Sequence, residues 1–372
     1  MNAYSWHDIT KGIHRLFPSA LCSGTASLSE YDLILFGAGN AGQIALKELC
    51  QRDIGVAAFC DNDKSKWGTE VAGIPCCSPE ELGRFKNPFV LVAPIAYYTE
   101  IANQLQSLGV AHVFADAISV FSNRHELQKI YDTYLSDDRS KHVFSALLLA
   151  KLYGSYAYST EVYEDCFYYA PASFKFLNPF DVIVDCGAFV GDTIQEIIER
   201  RNGNGFTRIH AFEPGERQYK ALTARVARLK EEWALADDQI QCVKAGLGVE
   251  TQKAYLNIVD PRQLNISEIS SDETENPIDI ISLDEYFAEK DDKVSFIKAD
   301  IEGSEMYMLQ GAKNVIQKYK PNIALSLYHK WEDFFVIPQY IKSLVPEYKF
   351  YIRHHGHLLS ETVGYFSVNN IV

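Results

Sequence analysis

The 372-residue sequence contains no apolar run approaching the roughly 18 residues that a membrane-spanning helix needs, so no span is expected. Its start, MNAYSWHDITKG, lacks the charged-then-apolar layout of a secretory signal, and the expected location is the cytoplasm. Basic residues are scarce: 35 Lys and Arg stand against 49 Asp and Glu, a net charge of −14. That balance opposes binding to a phosphate backbone, so nucleic acid is not an expected partner. The eight cysteines form no CxxC pair. Cys60, Cys186 and Cys242 lie in or beside apolar strand-like runs, which favours buried thiols in a reducing compartment over disulfides or zinc. No internal repeat or low-complexity tract stands out. What is present is a 47% hydrophobic chain long enough for two domains and a connector.

From Tyr31 the pattern runs YDLILFGAGNAGQIALKEL, IGVAAFC, FVLVAP, YYTEIANQLQSLG, AHVFAD. Apolar runs alternating with helical segments predict parallel βαβ units, here a small Rossmann-like domain of about four strands over residues 1–121. Residues 122–159 switch to helical spacing, with Leu127, Ile130, Tyr131 and Tyr134 on one face, and read as a helical connector. The aromatic-rich EVYEDCFYYAPASFKFLNPF follows, either a cover over a sheet edge or a lid above a ligand.

A second α/β series then fills residues 160–372, beginning at DVIVDCGAFVGDT. Its last two stretches, KFYIRHHGH and ETVGYFSV, have no long helix between them. They predict an antiparallel finish to a mostly parallel sheet. ISEISSDETENP, Ile266 to Pro277, is polar and acidic and reads as a loop.

The chemistry concentrates at strand ends in this second series. After Val182–Val184 come Asp185, Gly187, Ala188 and Gly191, with a helix opening near Thr193. Glycines there let the backbone approach a ligand closely, and an acid beside the loop suits a cationic ligand better than a phosphate. Glu213 in FEP, followed by Pro214, ends the next strand 22 residues past Gly191. An acid in that place can accept both ribose hydroxyls of a nucleoside. Ala245, Gly246 and Leu247 follow the third strand and suit a flat adenine, although ordinary packing explains them as well.

The fourth strand, VSFIKADIEGSE, ends in Asp300, Glu302 and Glu305 around Gly303. Asp300 or Glu302 could orient a hydroxyl or take its proton, while the bland alternative makes Glu302 an acid at a helix N-terminus. His329, after the fifth strand NIALSLYHK, is a candidate base or substrate contact. Metal held by the clustered acids is an alternative, but the expected site has none. His354, His355 and His357 share no clear ligand spacing with an acid and read as structural or rim residues.

VDCGAFVGDT, FEP, SLDEYF followed by FIKADIEGSEMYMLQGA, and SLYHK together resemble the FkbM family of methyltransferases, across about residues 160 to 368. The resemblance implies a class I methyltransferase fold with S-adenosylmethionine as donor. It implies methyl transfer to a hydroxyl of a sugar, surface polysaccharide or related secondary metabolite. Asp185, Gly187, Gly191 and Glu213 match the family's cofactor motif, and Asp300, Glu302 and His329 match its rim.

In the N-terminal domain, FGAGNAGQIA carries a GxGxxG at Gly37, Gly39 and Gly42, with Asp61 placed 19 residues beyond Gly42. This is a dinucleotide fingerprint in its strand-to-helix context. The run DNDKSKWGTEVAGIPCCSPEEL looks like small nucleotide-binding domains that precede sugar-modifying enzymes. A nucleotide or nucleotide-sugar site, NAD, and a scaffold without ligand all stay open. An oxidoreductase-like or a non-catalytic binding protein are the competing classes, and a homo-oligomer is compatible with the sequence.

Overall fold

A computed structural model describes residues 3–165, 168, 181–200, 205–258, 267–270 and 277–369. Most of the aromatic stretch before Pro179 lies outside these, Tyr168 apart. The chain divides into two compact units: 1–132, 141–162 and 357–359 form the first, and 133–140, 163–356 and 360–372 the second. Of the helices Arg124–Thr133 and Asp138–Tyr153, residues 124–132 and 141–153 fall in the first unit, and Thr133 and 138–140 in the second. Among the described residues no helix is long and apolar enough to cross a membrane.

The first unit holds a six-stranded sheet of β1 (Asp32–Phe36), β2 (Ala58–Cys60), β3 (Glu70–Val71), β4 (Ile74–Cys77), β5 (Pro88–Val92) and β6 (Ala111–Phe114), ordered β3-β4-β2-β1-β5-β6. All neighbours are parallel except β3 and β4. Ile34, Leu35, Val90, Leu91 and Val113 are fully buried, as expected of parallel strands covered on both faces. The β3–β4 hairpin raises the strand count above the four expected. Its two-residue turn, Ala72-Gly73, has positive φ at both positions, a type I′ geometry that the short IPCC run does not advertise.

Helix α1 (Asn40–Cys50) opens immediately after the glycine loop. A Cβ on Gly42 would stand 1.8 Å from the Gly37 carbonyl oxygen, whereas one on Gly39 would meet nothing within 4 Å. Gly42→Ala is therefore expected to destabilise the protein by about 1–3 kcal/mol, the usual cost of overpacking, with Gly39→Ala near neutral. Thermal unfolding of the two variants checks this, and equal Tm values would refute the packing role.

The second unit is built on β7 (Val182–Cys186), β8 (Arg208–Phe212), β9 (Ile240–Val243), β14 (Val294–Ala299), β15 (Asn322–Ser326), β16 (Lys349–His354) and β17 (Thr362–Ser367). Their order is β16-β17-β15-β14-β7-β8-β9. Only β17 runs against the rest, being antiparallel to both β15 and β16. Helices α2 (Asp192–Arg200) and α3 (Glu216–Glu232) lay apolar stripes on this sheet. Ile194, Ile197 and Ile198 from one and Leu222, Val226 and Leu229 from the other join Ile183 and Ile209 in a single core cluster. Each such side chain contributes about 1.5–3 kcal/mol relative to exposure.

A four-stranded sheet of β10 (Gly246–Leu247), β11 (Gln252–Ile258), β12 (Ser267–Ser270) and β13 (Pro277–Ile281) is inserted between β9 and β14, ordered β10-β13-β11-β12. β12 corrects the loop expected over 266–277 at Ser267–Ser270, while 266 and 271–276 lie outside the described residues. The strand pairs antiparallel with β11 at the sheet's edge, a position that requires backbone partners more than an apolar face.

Candidate active site

The parallel strands of the second unit bring their carboxyl ends to one rim, the place where open α/β sheets hold ligands. Gly187 and Gly191, at φ +79° and +80°, carry the chain from β7 into α2. Gly187 and Ala188 donate their amides to Phe212 O, at 3.0 and 2.9 Å. A Cβ on Gly187 would lie 2.0 Å from the Asp300 carbonyl oxygen, and one on Gly191 would lie 2.9 Å from Leu222 Cδ1. The first glycine thus admits a neighbouring strand end, and the second admits α3. Ala188 is buried in the core cluster.

Asp185 sits elsewhere than the sequence suggested. It pairs in register with Lys298 on β14, is fully buried, and its Oδ1 lies 3.1 Å from Lys298 Nζ. Lys298 also donates to Gly187 O at 2.7 Å. The acid therefore faces a lysine behind the loop instead of lining the cavity. Burial pushes the Asp185 carboxyl up and Lys298 partly offsets this. Burial works against the Lys298 ammonium too, but Asp185 and Asp300 together raise it, so it stays charged.

Glu213 does line the cavity, which has a volume of about 640 Å³, the size of a nucleoside-type ligand pocket. Its Oε2 accepts the Phe189 amide at 3.0 Å and its Oε1 the Gly215 amide at 2.8 Å. Each oxygen keeps a second acceptor direction. Burial pushes this carboxyl up to about 7, against the pull of those two amides and Lys298. Gly187, Thr193, Pro214, Gly246 and Leu247 line the same cavity, whereas Ala188 and Gly191 support it from behind.

The far end of the cavity is acidic. Asp300 donates its amide to Cys186 O at 3.0 Å, and its carboxylate accepts from Tyr168 Oη at 2.9 Å and Tyr328 Oη at 3.2 Å. Burial would raise this acid, but Lys298 and His329 hold it below the usual carboxylate range. Glu302 adopts a left-handed φ of +53°, costing on the order of 1 kcal/mol, and burial pushes its carboxyl up. Helix α4 (Glu305–Gly311) starts later, so the acid in its first turn is Glu305 and not Glu302.

His329 Nδ1 is 2.8 Å from Glu305 Oε1, while Nε2 is 3.4 Å from both Asp300 Oδ1 and Glu302 Oε2. Burial alone would lower the imidazole; Glu305 first, then Asp300 and Glu302, raise it to about 9. The three carboxylates thus favour the protonated ring, and His329 would act as a base only after giving up that proton. His354 and His355 are tied to Thr362 and to Tyr365 and Glu164 O, and are structural.

Lys298, Tyr168, Tyr328 and Glu361 also line the cavity and were not singled out in the sequence. A signal existed for Lys298: a charge inside the apolar run VSFIKA implies a buried partner, and Asp185 occupies the adjacent strand. In the first unit, Asp61 accepts the Ala38 amide, the Asp63 amide and Lys66 Nζ, each at 2.8 Å. The acid expected to receive a ribose thus already engages its own Gly37–Gly42 loop.

A ligand cavity lined by a glycine turn and a buried strand-end acid, on a sheet whose last strand alone is reversed, has the class I methyltransferase fold. Residues 185–359 match the family model for the methyltransferase FkbM domain. S-adenosylmethionine is the cofactor of that class. The glycine cradle and Glu213 fit it. Residues 29–113 match the model of a C2185-like N-terminal domain.

Among solved structures, a methyltransferase FkbM from Methylobacillus flagellatus shares 22% identity over 98% of this chain and 94% of its own, with a TM-score of 0.57, and shows the same fold. An rRNA methylase from Streptococcus thermophilus aligns at 11% identity over 57% of this chain and 91% of its own, TM-score 0.33. M. capricolum TrmK, in complex with S-adenosyl-homocysteine, aligns at 11% over 53% and 66%, TM-score 0.31. Likenesses as distant as these last two carry no argument. No curated protein matches the chain.

Proposed function

We propose that this methyltransferase transfers the methyl group of S-adenosylmethionine to a hydroxyl oxygen of a sugar, glycan or related small molecule. The observation that carries this reading is one cavity lined both by Gly187 and Glu213 and by Asp300, Glu302 and His329. The cofactor, when bound, supplies an electrophilic sulfonium methyl.

Glu213 holds the ribose hydroxyls, and the Gly187 cradle lets the ligand lie against the strand ends. Asp300, fixed by Tyr168 and Tyr328, and the His329 ring orient the acceptor hydroxyl. Glu302 would receive its proton as the oxygen–carbon bond forms and the methyl carbon–sulfur bond breaks, with S-adenosylhomocysteine as the leaving group. Alignment supplies much of the rate, since a well-oriented pair gains the equivalent of about 7–11 kcal/mol over free reactants. A nicotinamide site at Gly37–Gly42 has less support, because Asp61 is engaged within its own loop.

Calorimetry with S-adenosylmethionine and radiolabelled methyl transfer to a panel of polyols, sugars and glycans test the reading. Saturable binding with labelled ether products supports it, and methylation only of amines or carbons overturns the O-methyl assignment.

Glu213 adds a pH dependence. Its carboxyl sits near about 7 in the free protein, and only the carboxylate accepts both a backbone amide and a hydroxyl on each oxygen. Cofactor affinity is fully present above this value and falls as pH drops through it, by about tenfold per unit below about 7. Isothermal titrations at pH 8 and pH 5.5 read it directly, and equal affinities would remove Glu213 from ribose binding.

A further inference from the structure

We propose that Asp300, Glu305 and His329 form a divalent-cation site at the acceptor end of the cavity. One donor atom from each lies within 4.8 Å of the other two. All three belong to rigid positions: Asp300 ends β14, Glu305 opens α4, and His329 follows β15.

Charge and hydrogen bonding point the same way. The carboxylates of Asp300, Glu302 and Glu305 surround a single imidazole, with Glu361 lining the same cavity. The nearby cations are engaged elsewhere: Lys298 with Asp185 and Gly187 O, Lys330 with Gly303 O. Glu305 supplies an independent indication. It is fully buried, its Oε1 accepts from the Ile301 amide at 3.0 Å and faces His329, and its Oε2 has no hydrogen-bond partner among the described residues. A buried carboxyl oxygen without a hydrogen-bond partner costs about 1–3 kcal/mol, and a cation in its reach would offset that cost.

Carboxylate oxygens combined with one imidazole suit a hard or borderline divalent ion such as Mn²⁺, which would displace the proton that the carboxylates otherwise hold on the His329 ring. Asp300 and His329 line the cavity. An ion they hold would therefore keep coordination positions open to an acceptor oxygen, lowering its proton affinity. Binding of the ion does not depend on the O-methyl reading.

The experiment titrates Mn²⁺ into the full chain, without cofactor or acceptor, by electron paramagnetic resonance. The expected result is one ion per chain, with affinity at least tenfold weaker in Asp300→Asn and His329→Gln and unchanged in Glu231→Gln on the exposed face of α3. Circular dichroism establishes that each variant is folded. Nitrogen coupling in the spin-echo spectrum of the wild-type complex, the signature of a bound imidazole, tests the site even if a variant does not fold. Absence of stoichiometric binding, or bound Mn²⁺ with neither nitrogen coupling nor sensitivity to the substitutions, overturns the proposal. Mn²⁺ binding without O-methylation of any acceptor would sink the functional reading and leave this one standing.

Discussion

Gly187→Ala is expected to abolish measurable S-adenosylmethionine binding, a loss of at least about a hundredfold, which corresponds to about 2.7 kcal/mol. The new Cβ would lie 2.0 Å from the Asp300 carbonyl oxygen and 3.0 Å from its carbon. Backbone atoms cannot swing aside as a flexible side chain can, so the loop or the end of β14 must shift. The backbone at φ +79° adds a penalty of roughly 1–2 kcal/mol for any residue with a side chain. Either displacement moves the loop that touches the ligand. Titration calorimetry on a variant shown to be folded decides the matter. Retained affinity would mean that the cofactor does not lie along this loop.

Lys298→Met is expected to be the most destabilising single change in the second unit, by about 3–5 kcal/mol at pH 8. The substitution preserves the packed stem but leaves the Asp185 carboxylate buried with no counter-charge. It also removes the donor to Gly187 O, loosening the cradle. The sign of the pH dependence follows from burial. Without Lys298, the folded-state carboxyl of Asp185 rises further above its unfolded value. The variant therefore loses stability as pH rises from about 4, and recovers as pH falls toward that value. Asp185→Asn added to Lys298→Met removes the uncompensated charge and should restore a large part of the loss. Thermal or denaturant unfolding of the two single variants and the double at pH 5 and pH 8 measures the coupling. Additive effects would refute a buried pair.

Much of this architecture was legible because strands buried on both faces are written as continuous apolar runs. VIVDC, RIHAF and NIALS could be recognised as strands from the sequence, and the reversed last strand followed from the short connection before ETVGYFSV. Glu213 was equally legible, since its place after β8 fixes where its carboxylate points. What stayed hidden depended on neighbours that only register supplies. Asp185 looks like a cavity acid until β14 sets Lys298 beside it. His329 looks like a base until three carboxylates are found around its ring. β12 carried no apolar signal because an edge strand can be held by backbone hydrogen bonds alone.

The place of β17 has a consequence for how the second unit acquires its form. β16 precedes β17 in the chain, yet within the seven-stranded sheet it reaches β15 only through β17. Until β17 inserts, β16 and the free edge of β15 both expose unpaired backbone, the kind of edge that invites pairing with other chains. Tyr365 and Phe366, fully buried once the strand is home, would be in water at the same moment. Closure of the sheet is thus a late, non-local event. Folding should be slow for a unit of this size and most vulnerable to aggregation just before that strand is seated.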